Sequence, residues 1–593
     1  IHHIMKDFLK FTLATITGII ATSVIMGIVG IIMLAGMAAA GQAPVEVKDN
    51  TVFVLKLSGM LEERAKTDFM GQLTGQVNEN LGLDDILSSI DKAKTNDKIE
   101  GIYIKAGIFA SDSPASSKAI RRKLEEFKKS GKWIVAYADD YTQTTYYICS
   151  VADQVFINPQ GMLYWQGIAA QPMFYKDLLA KFGVKVQLAK VGKYKSMPEA
   201  MTAEKMSEPN REQVTAYING IWNDMLDDVS RSRKLSRQTL NDYADSFTAF
   251  TDQKQYVSMK LVDKMLYADE VKDELKKMLK ADKNDKLNLV SLADMINIQV
   301  KDNKGDKIAV YYAYGDIVST NTGGFTGSAC IASDDVCRDL NKLAEDDDIK
   351  AVVLRVNSGG GSAYASEQIW HSMTKLKEKK PVVVSMGGMA ASGGYYISCP
   401  ANYIYAEPTT LTGSIGIFGM FPDLSGLLTD KLGIKFDEVK TNRNSGFGSM
   451  ARPFNDEEIA MLDNYISRGY ELFRKRVADG RKMKVENVEE LAQGRVWLGQ
   501  DALENKLVDA LGGIDMAVAK AAELAKLKEY HSESYPAQPD WLEQLVNNMS
   551  TDNYLDEKMK AALGEYYTPF MTIKNINRQE AIQARLPYHL IIK

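Results

Sequence analysis

The chain has 593 residues, of which 45 % are hydrophobic and 25 % charged. That is the composition of a globular protein and, at this length, of about two large domains rather than one core. The formal net charge is −5, with 72 Lys and Arg against 77 Asp and Glu; this balance, without a basic stripe, excludes a nucleic-acid partner.

In chain order, the first expected element is a membrane span. The run FTLATITGIIATSVIMGIVGIIMLAGMAAA, residues 11–40, holds no charged residue and exceeds the roughly 20 residues that a helix needs to cross a bilayer. A secretory signal has an apolar stretch of only about 7–15 residues, so an uncleaved anchor is expected, although Ala38-Ala39-Ala40 would suit a signal peptidase. Lys6 and Lys10 precede the run, so residues 1–10 are expected to form a cytoplasmic leader and the chain after about residue 45 to be exported. The residues before Met5 carry no argument.

Beyond the anchor the chain is a tandem duplication. Tyr146-Tyr147-Ile148 aligns with Tyr395-Tyr396-Ile397 at an offset of 249 residues. TVFVLKLSGML (51–61) then matches KIAVYYAYGDI (307–317), Asp84-Asp85-Ile86 matches Asp334-Asp335-Val336, and IEGIYIK (99–105) matches IKAVVLR (349–355). Phe182-Gly183-Val184-Lys185 matches Leu432-Gly433-Ile434-Lys435. Each copy alternates apolar β-branched runs with amphipathic helical ones. Val352-Val353-Leu354 and Val382-Val383-Val384 are continuously apolar, as in strands covered on both faces, and Ile369, Met373 and Leu376 recur on one helix face between them. The fold class is therefore α/β with mostly parallel sheets and right-handed crossovers. The first domain is expected over 46–300 and the second over 301–530, with the charged stretches KADKNDK (280–286) and KDNKGDK (301–307) as linker. A tail of residues 531–593 has no repeat partner in sequence; its stretch from Trp541 to Leu563 is expected to be an accessory helix.

Four cysteines, Cys149, Cys330, Cys337 and Cys399, are too few for a disulfide scaffold. Cys330 and Cys337 lie close enough in sequence to pair in an oxidising compartment. No zinc site is expected, because no histidine is near them and no Cys-x-x-Cys pair exists.

The two copies differ where chemistry is expected. The second reads Ala391-Ser392-Gly393-Gly394 where the first reads Thr142-Gln143-Thr144-Thr145. Ser392 follows a strand and opens a helix, where the dipole favours a developing anion, and Gly359, Gly360 and Gly361 allow backbone amides to approach a bound carbonyl. The competing reading is a helix-capping serine beside a glycine turn. A cap needed for folding would have survived in both copies, and this one did not. The general base is not a histidine: among five, His2 and His3 lie in the leader, His531 and His589 in the tail, and His371 on the outward face of its helix. A lysine can serve if burial lowers its pKa. In the first copy, Lys195 lies in GKYKSMPEAM, and at an offset of 250 its counterpart is Ser445. One half thus keeps a serine and the other a lysine, which suggests a composite site; a solvated surface lysine is the alternative.

RVNSGGGSAYAS, MAASGGYYIS, LTGSIGIFG and GKYKSMPEAM together resemble the long, duplicated form of the bacterial signal peptide peptidase A family, over roughly residues 50–530. The resemblance implies the fold of the Clp protease and crotonase superfamily and a membrane-bound serine endopeptidase with a Ser/Lys dyad. By it, Ser392 matches the nucleophile, Lys195 the general base, and Ser414 a serine that orients the lysine ammonium; the first copy has Trp165 in that place. The amides of Gly393 and of Gly360 or Gly361 match the oxyanion hole. One departure is Gly359, where the family often has proline; it loosens the loop and removes no donor.

The resemblance further implies no metal or organic cofactor, and peptide substrates, chiefly cleaved signal peptides left in the membrane. It also implies contact with membrane lipid through the amino-terminal helix, the bacterial inner membrane as location, and a homo-oligomer, a tetramer. Whether Lys195 meets Ser392 within one chain or across subunits is not readable from sequence. Two other functions compete: a crotonase-type acyl-CoA hydratase or isomerase, and a non-catalytic duplicated membrane scaffold.

Overall fold

The computed structural model describes residues 2–41, 45–65, 80–282, 284–298, 304–321, 329–538 and 582–585, with isolated residues 559 and 563. The apolar runs of the first copy form a parallel sheet. Its strands lie in the order Asn80–Gly82, Thr51–Glu62, Ile99–Ala110, Trp133–Ala138, Gln154–Ile157 and Lys264–Met265. Asn288–Ser291 runs parallel to the start of Thr51–Glu62. Val52, Phe53 and Leu55 are fully buried, which is why consecutive positions are apolar: helices cover both faces.

The second copy repeats this plan. Asp306–Tyr314, Ile349–Ser358 and Val382–Ala391 make its parallel centre. Tyr403–Ala406 and Leu411–Gly413 both lie beside Val382–Ala391, and Val496–Leu498 closes that side antiparallel to Leu411–Gly413. Tyr530–Tyr535 runs parallel to Asp306–Tyr314, in the place that Asn288–Ser291 takes in the first copy. The repeat therefore continues past the expected boundary at 530. The sequence YHSESY is polar at most positions and four of its six residues are exposed, so no apolar run betrayed the strand.

A third sheet decides where the site lies, because it draws on both copies. Its order is Cys330–Ala332, Asp316–Val318, Gly360–Ser362, Ile582–Arg585, Phe418–Asp423 and Lys185–Lys190. The last strand belongs to the first copy and runs antiparallel to Phe418–Asp423, from Lys190 opposite Phe418 to Lys185 opposite Asp423. The copies also share a core: Ala391, Leu411, Val496 and Leu498 of the second pack into the apolar cluster of the first. Arg355 and Glu63 form a buried bidentate ion pair across the same boundary, with both contacts at 3.0 Å.

At the amino terminus, residues 2–41 form one helix. Its segment Lys10–Gly30, 21 residues, is long and apolar enough to cross a membrane, since it spans about 30 Å at 1.5 Å per residue. Phe11, Ile19 and Met26 there are more than half exposed. No disulfide forms among the described residues. Cys330 opens a short strand while Cys337 sits on the following helix Ser333–Glu345, which separates two residues that are close in sequence. The helix expected over Trp541–Leu563 lies, but for two residues, outside the described residues.

Candidate active site

Ser392 stands between the strand Val382–Ala391 and the helix Gly393–Ser398. Its backbone has φ 55° and ψ −113°, and its side chain makes no capping hydrogen bond. An L-residue in such a conformation is strained by about 1–3 kcal/mol, so the surrounding structure must hold it. Here the Ser392 amide donates to the Gly413 carbonyl at 2.8 Å and its carbonyl accepts from Tyr396 N–H at 2.8 Å. The corresponding helix start in the first copy is relaxed: Thr142 has φ −69° and ψ 160°, and its hydroxyl accepts from Thr145 N–H. One copy has a cap at this turn; the other has a serine turned away from the helix. The capping alternative for Ser392 is thereby excluded.

The Ser392 hydroxyl is turned toward Lys195, whose Nζ lies 2.7 Å from Ser392 Oγ. The same amine is 3.0 Å from Ser414 Oγ and 3.2 Å from the Ser414 carbonyl oxygen. Lys195, Ser392 and Ser414 are all fully buried, so the surface-lysine alternative fails as well. With no carboxylate among its bonded partners, burial holds the Lys195 amine well below the usual lysine range. Three features place the lysine. The strand Lys185–Lys190 delivers the chain to the second copy, and Val191 N–H bonds the Ile417 carbonyl. Gly494, at φ +79°, lets the backbone close in: a Cβ there would lie 2.6 Å from Lys195 Cβ. Gly416 does the same for the stem, where a Cβ would meet Lys195 Cδ at 3.3 Å.

Ser414 has φ 48° and its amide donates to the Arg495 carbonyl at 2.7 Å. Its counterpart Trp165 is fully buried, donates from Nε1 to the Leu240 carbonyl at 2.9 Å, and packs on Tyr146 and Trp222. An indole occupies the place of the hydroxyl, so the first copy has no equivalent site. Gly360, with φ +101°, lies against Gly393: a Cβ on Gly360 would come within 2.8 Å of Gly393 N. The Gly360 amide itself donates to Ser358 Oγ at 3.1 Å. His371 is exposed on its helix, and Ser445, opposite Lys195 in the repeat, is exposed in a loop.

Several contributors escaped the sequence reading. Gly494 and Gly416 are ordinary glycines until the lysine packs on them. Gln213 donates to Ser196 Oγ at 2.8 Å and to the Tyr194 carbonyl at 3.0 Å, and accepts from Val496 N–H at 3.1 Å. It thus ties the lysine loop to the second copy. Glu199 steadies the same loop by accepting from Ser207 and Asn210; the run Ser196-Met197-Pro198-Glu199 was its one visible signal.

Known proteins resemble this chain over most of its length. The profile of Peptidase family S49 matches residues 126–282 and again 374–528, and that of Clp protease matches residues 328–409. Protease 4 of Salmonella typhi is 37 % identical over 530 residues, covering 86 % of this chain and 84 % of that protein. Protease 4 of Haemophilus influenzae is 32 % identical over 556 residues, 88 % of each chain. The chloroplastic serine protease SPPA of Arabidopsis thaliana is 30 % identical over 487 residues, covering 81 % of this chain and 70 % of that protein. With both halves matched by one family and relatives aligned over most of their length, the chain belongs to peptidase family S49 and is a serine peptidase.

Proposed function

We propose that the protein is a membrane-anchored endopeptidase in which Ser392 is the nucleophile and Lys195 its general base. The observation that carries this reading is the 2.7 Å contact between Lys195 Nζ and Ser392 Oγ, both of them fully buried. A neutral amine there accepts the hydroxyl proton as Ser392 attacks a peptide carbonyl. Ser414, through its hydroxyl and its carbonyl, aims the amine. The tetrahedral oxyanion is assigned to Gly393 N–H and to the Gly361 amide, since the Gly360 amide is engaged by Ser358. Each such donor is typically worth about 3–4 kcal/mol in the transition state. The lysine then protonates the leaving amine, and water deacylates the serine by the reverse path. The chemistry calls for no metal or cofactor.

The helix Lys10–Gly30 supports anchoring in a bacterial inner membrane, with the leader cytoplasmic and both copies outside. A protease held there meets signal peptides left in the bilayer, which are the proposed substrates. The proposed assembly is a homo-oligomer, a tetramer, by family resemblance. The domains are assigned as 46–300 for the lysine copy and 301–530 for the serine copy, the latter extended to Tyr535 by its last strand.

Labelling by a serine-directed acylating probe at neutral pH tests the dyad. The parent should label, and both Ser392→Ala and Lys195→Ala should not. Labelling that survives Lys195→Ala would mean that another base serves Ser392.

A further inference from the structure

In the first copy, the turn that corresponds to the one presenting Ser392 has lost its serine but still borders an open cleft of about 530 Å³. Gln143 and Thr144, which stand where the second copy has Ser392 and Gly393, line this cleft. The rest of its wall comes from the start of the helix Pro114–Lys128, from the helix Glu208–Arg233, and from Thr409 of the second copy. We infer that this cleft binds a primary alkylammonium group, the chemistry of a lysine side chain or of a free aliphatic amine. The inference goes beyond the Ser392–Lys195 reading and concerns a site that neither of those residues enters.

Two buried oxygens on the wall have no partner among the described residues. Thr409 is 3 % exposed, and its Oγ1 makes no hydrogen bond. Asp224 receives Lys118 Nζ on Oδ1 at 2.9 Å, but its Oδ2 is buried and unpaired. A buried acceptor without a donor is unfavourable, so both oxygens call for a ligand that donates. Burial raises the Asp224 carboxyl above the usual carboxylate range despite Lys118, and the neighbouring Asp228 adds to the rise. The carboxylate is therefore short of positive charge.

The other polar groups also accept. Ser111 Oγ and Ser117 Oγ both donate to the Ser113 carbonyl, at 2.8 and 3.4 Å, which leaves their lone pairs for a ligand. Asp112, exposed at the mouth, adds a second carboxylate. An anion is not served, although a helix begins here. Pro114 has no N–H, the Ser116 amide is taken by Ser113 Oγ at 3.1 Å, and Lys118 is held by Asp224 and Asp228. A divalent metal is not served either: two carboxylates are few for a hard cation, and no group of three metal-ligating side chains occurs among the described residues. An ammonium carries three donors and no acceptor, which is what such a wall requires. Pro114, Tyr147 and Met225 line the same cleft and suit the methylenes of an alkyl stem.

The second copy offers no such set. Its helix Asp456–Arg481, 26 residues long like Glu208–Arg233, has Leu472 in the place of Asp224. Gly361 and Ala363 stand in the places of Ser111 and Ser113. Acceptors are thus gathered in the copy that lost the nucleophile.

Saturation-transfer NMR on the purified full-length chain at neutral pH tests the inference, with n-butylammonium chloride as the probe and butanol as the uncharged control. Saturable binding of n-butylammonium is expected, and none of butanol. Asp224→Asn and Thr409→Val are each expected to weaken binding at least about tenfold, the loss of one hydrogen bond to a charged group. Ser392→Ala is expected to bind as the parent does. Thr409→Val removes a hydroxyl that bonds nothing, so it keeps the test clear of folding defects, and Tm is read for each variant. N-acetyl-lysine amide and putrescine separate the two sources, the tighter of them naming a peptide side chain or a free amine. No saturable binding by the parent, equal binding of butanol, or undiminished binding in either folded cleft variant would overturn the inference. Loss of binding in Ser392→Ala would also overturn it, by placing the amine in the catalytic cleft. None of these results bears on labelling of Ser392, so the dyad stands or falls separately.

Discussion

A lysine is useful as a base only when its amine is neutral, and at Lys195 burial supplies that condition. Because the folded pKa is lowered, activity should be lost as pH falls through that lowered value and should be level above it. The plateau in kcat/KM is expected well below the usual lysine value of 10.5; a rate still climbing near that value would contradict the assignment. The same shift bears on stability. The folded state holds its proton less tightly than the unfolded chain, so the contribution of Lys195 to stability is full above the unfolded pKa and is lost as pH falls through the folded one. Lys195→Met should therefore lower kcat/KM by about 10³-fold or more without lowering Tm at neutral pH. A clear fall in Tm would mean that the amine stabilises the fold. Ser414→Ala removes one of two Ser414 contacts to the amine. It should reduce kcat by about 10–100-fold with little change in KM, which corresponds to a hydrogen bond of about 1.5–3 kcal/mol to an ionisable partner; a change confined to KM would place Ser414 in substrate binding instead.

At the scale of elements, the turn that presents Ser392 and the loop that presents Lys195 are held by different means. Ser392 is held by backbone bonds from Gly413 and Tyr396. Lys195 is held by close packing on Gly494, where φ is +79° and a Cβ would be 2.6 Å from the lysine backbone nitrogen. Gly494→Ala is thus doubly unfavourable, through its backbone conformation and through displacement of the lysine. We expect about 1–3 kcal/mol of destabilisation and a fall in kcat disproportionate to it; equal kcat in the folded variant would show that the lysine can shift without loss. The glycine-serine turn was legible because a strand, three glycines and a small-residue helix start form a local pattern. The role of Gly494 was not, since it lies almost 300 residues from the lysine that it accommodates, and a lone glycine carries no signal of what approaches it. The strand Tyr530–Tyr535 was hidden for a related reason: an edge strand half open to solvent has no need of an apolar run.

For the whole molecule, the contact between Lys195 of one copy and Ser392 of the other holds only while the copies stay locked together. Arg355 and Glu63 are part of that lock, with side chains 4 % and 3 % exposed. Glu63→Ala would leave the guanidinium buried without its carboxylate, at a cost of about 3–5 kcal/mol. Thermal unfolding should report this as a marked fall in Tm, and an unchanged Tm would mean that the interface relaxes around the charge.

The sequence by itself determined the α/β class, the duplication, the apolar amino-terminal helix and the candidates Ser392, Lys195 and Ser414. These rest on periodicity, on local turn chemistry, and on comparison of one half with the other. Only the tertiary structure decided that Lys195 and Ser392 meet within one chain, that the capping role belongs to Thr142 and not to Ser392, and that the strand Ile582–Arg585 lies between Gly360–Ser362 and Phe418–Asp423. Each of these is a contact between segments distant in sequence, set by strand pairing and by the loss of water on burial. Neither leaves a mark in the local order of residues.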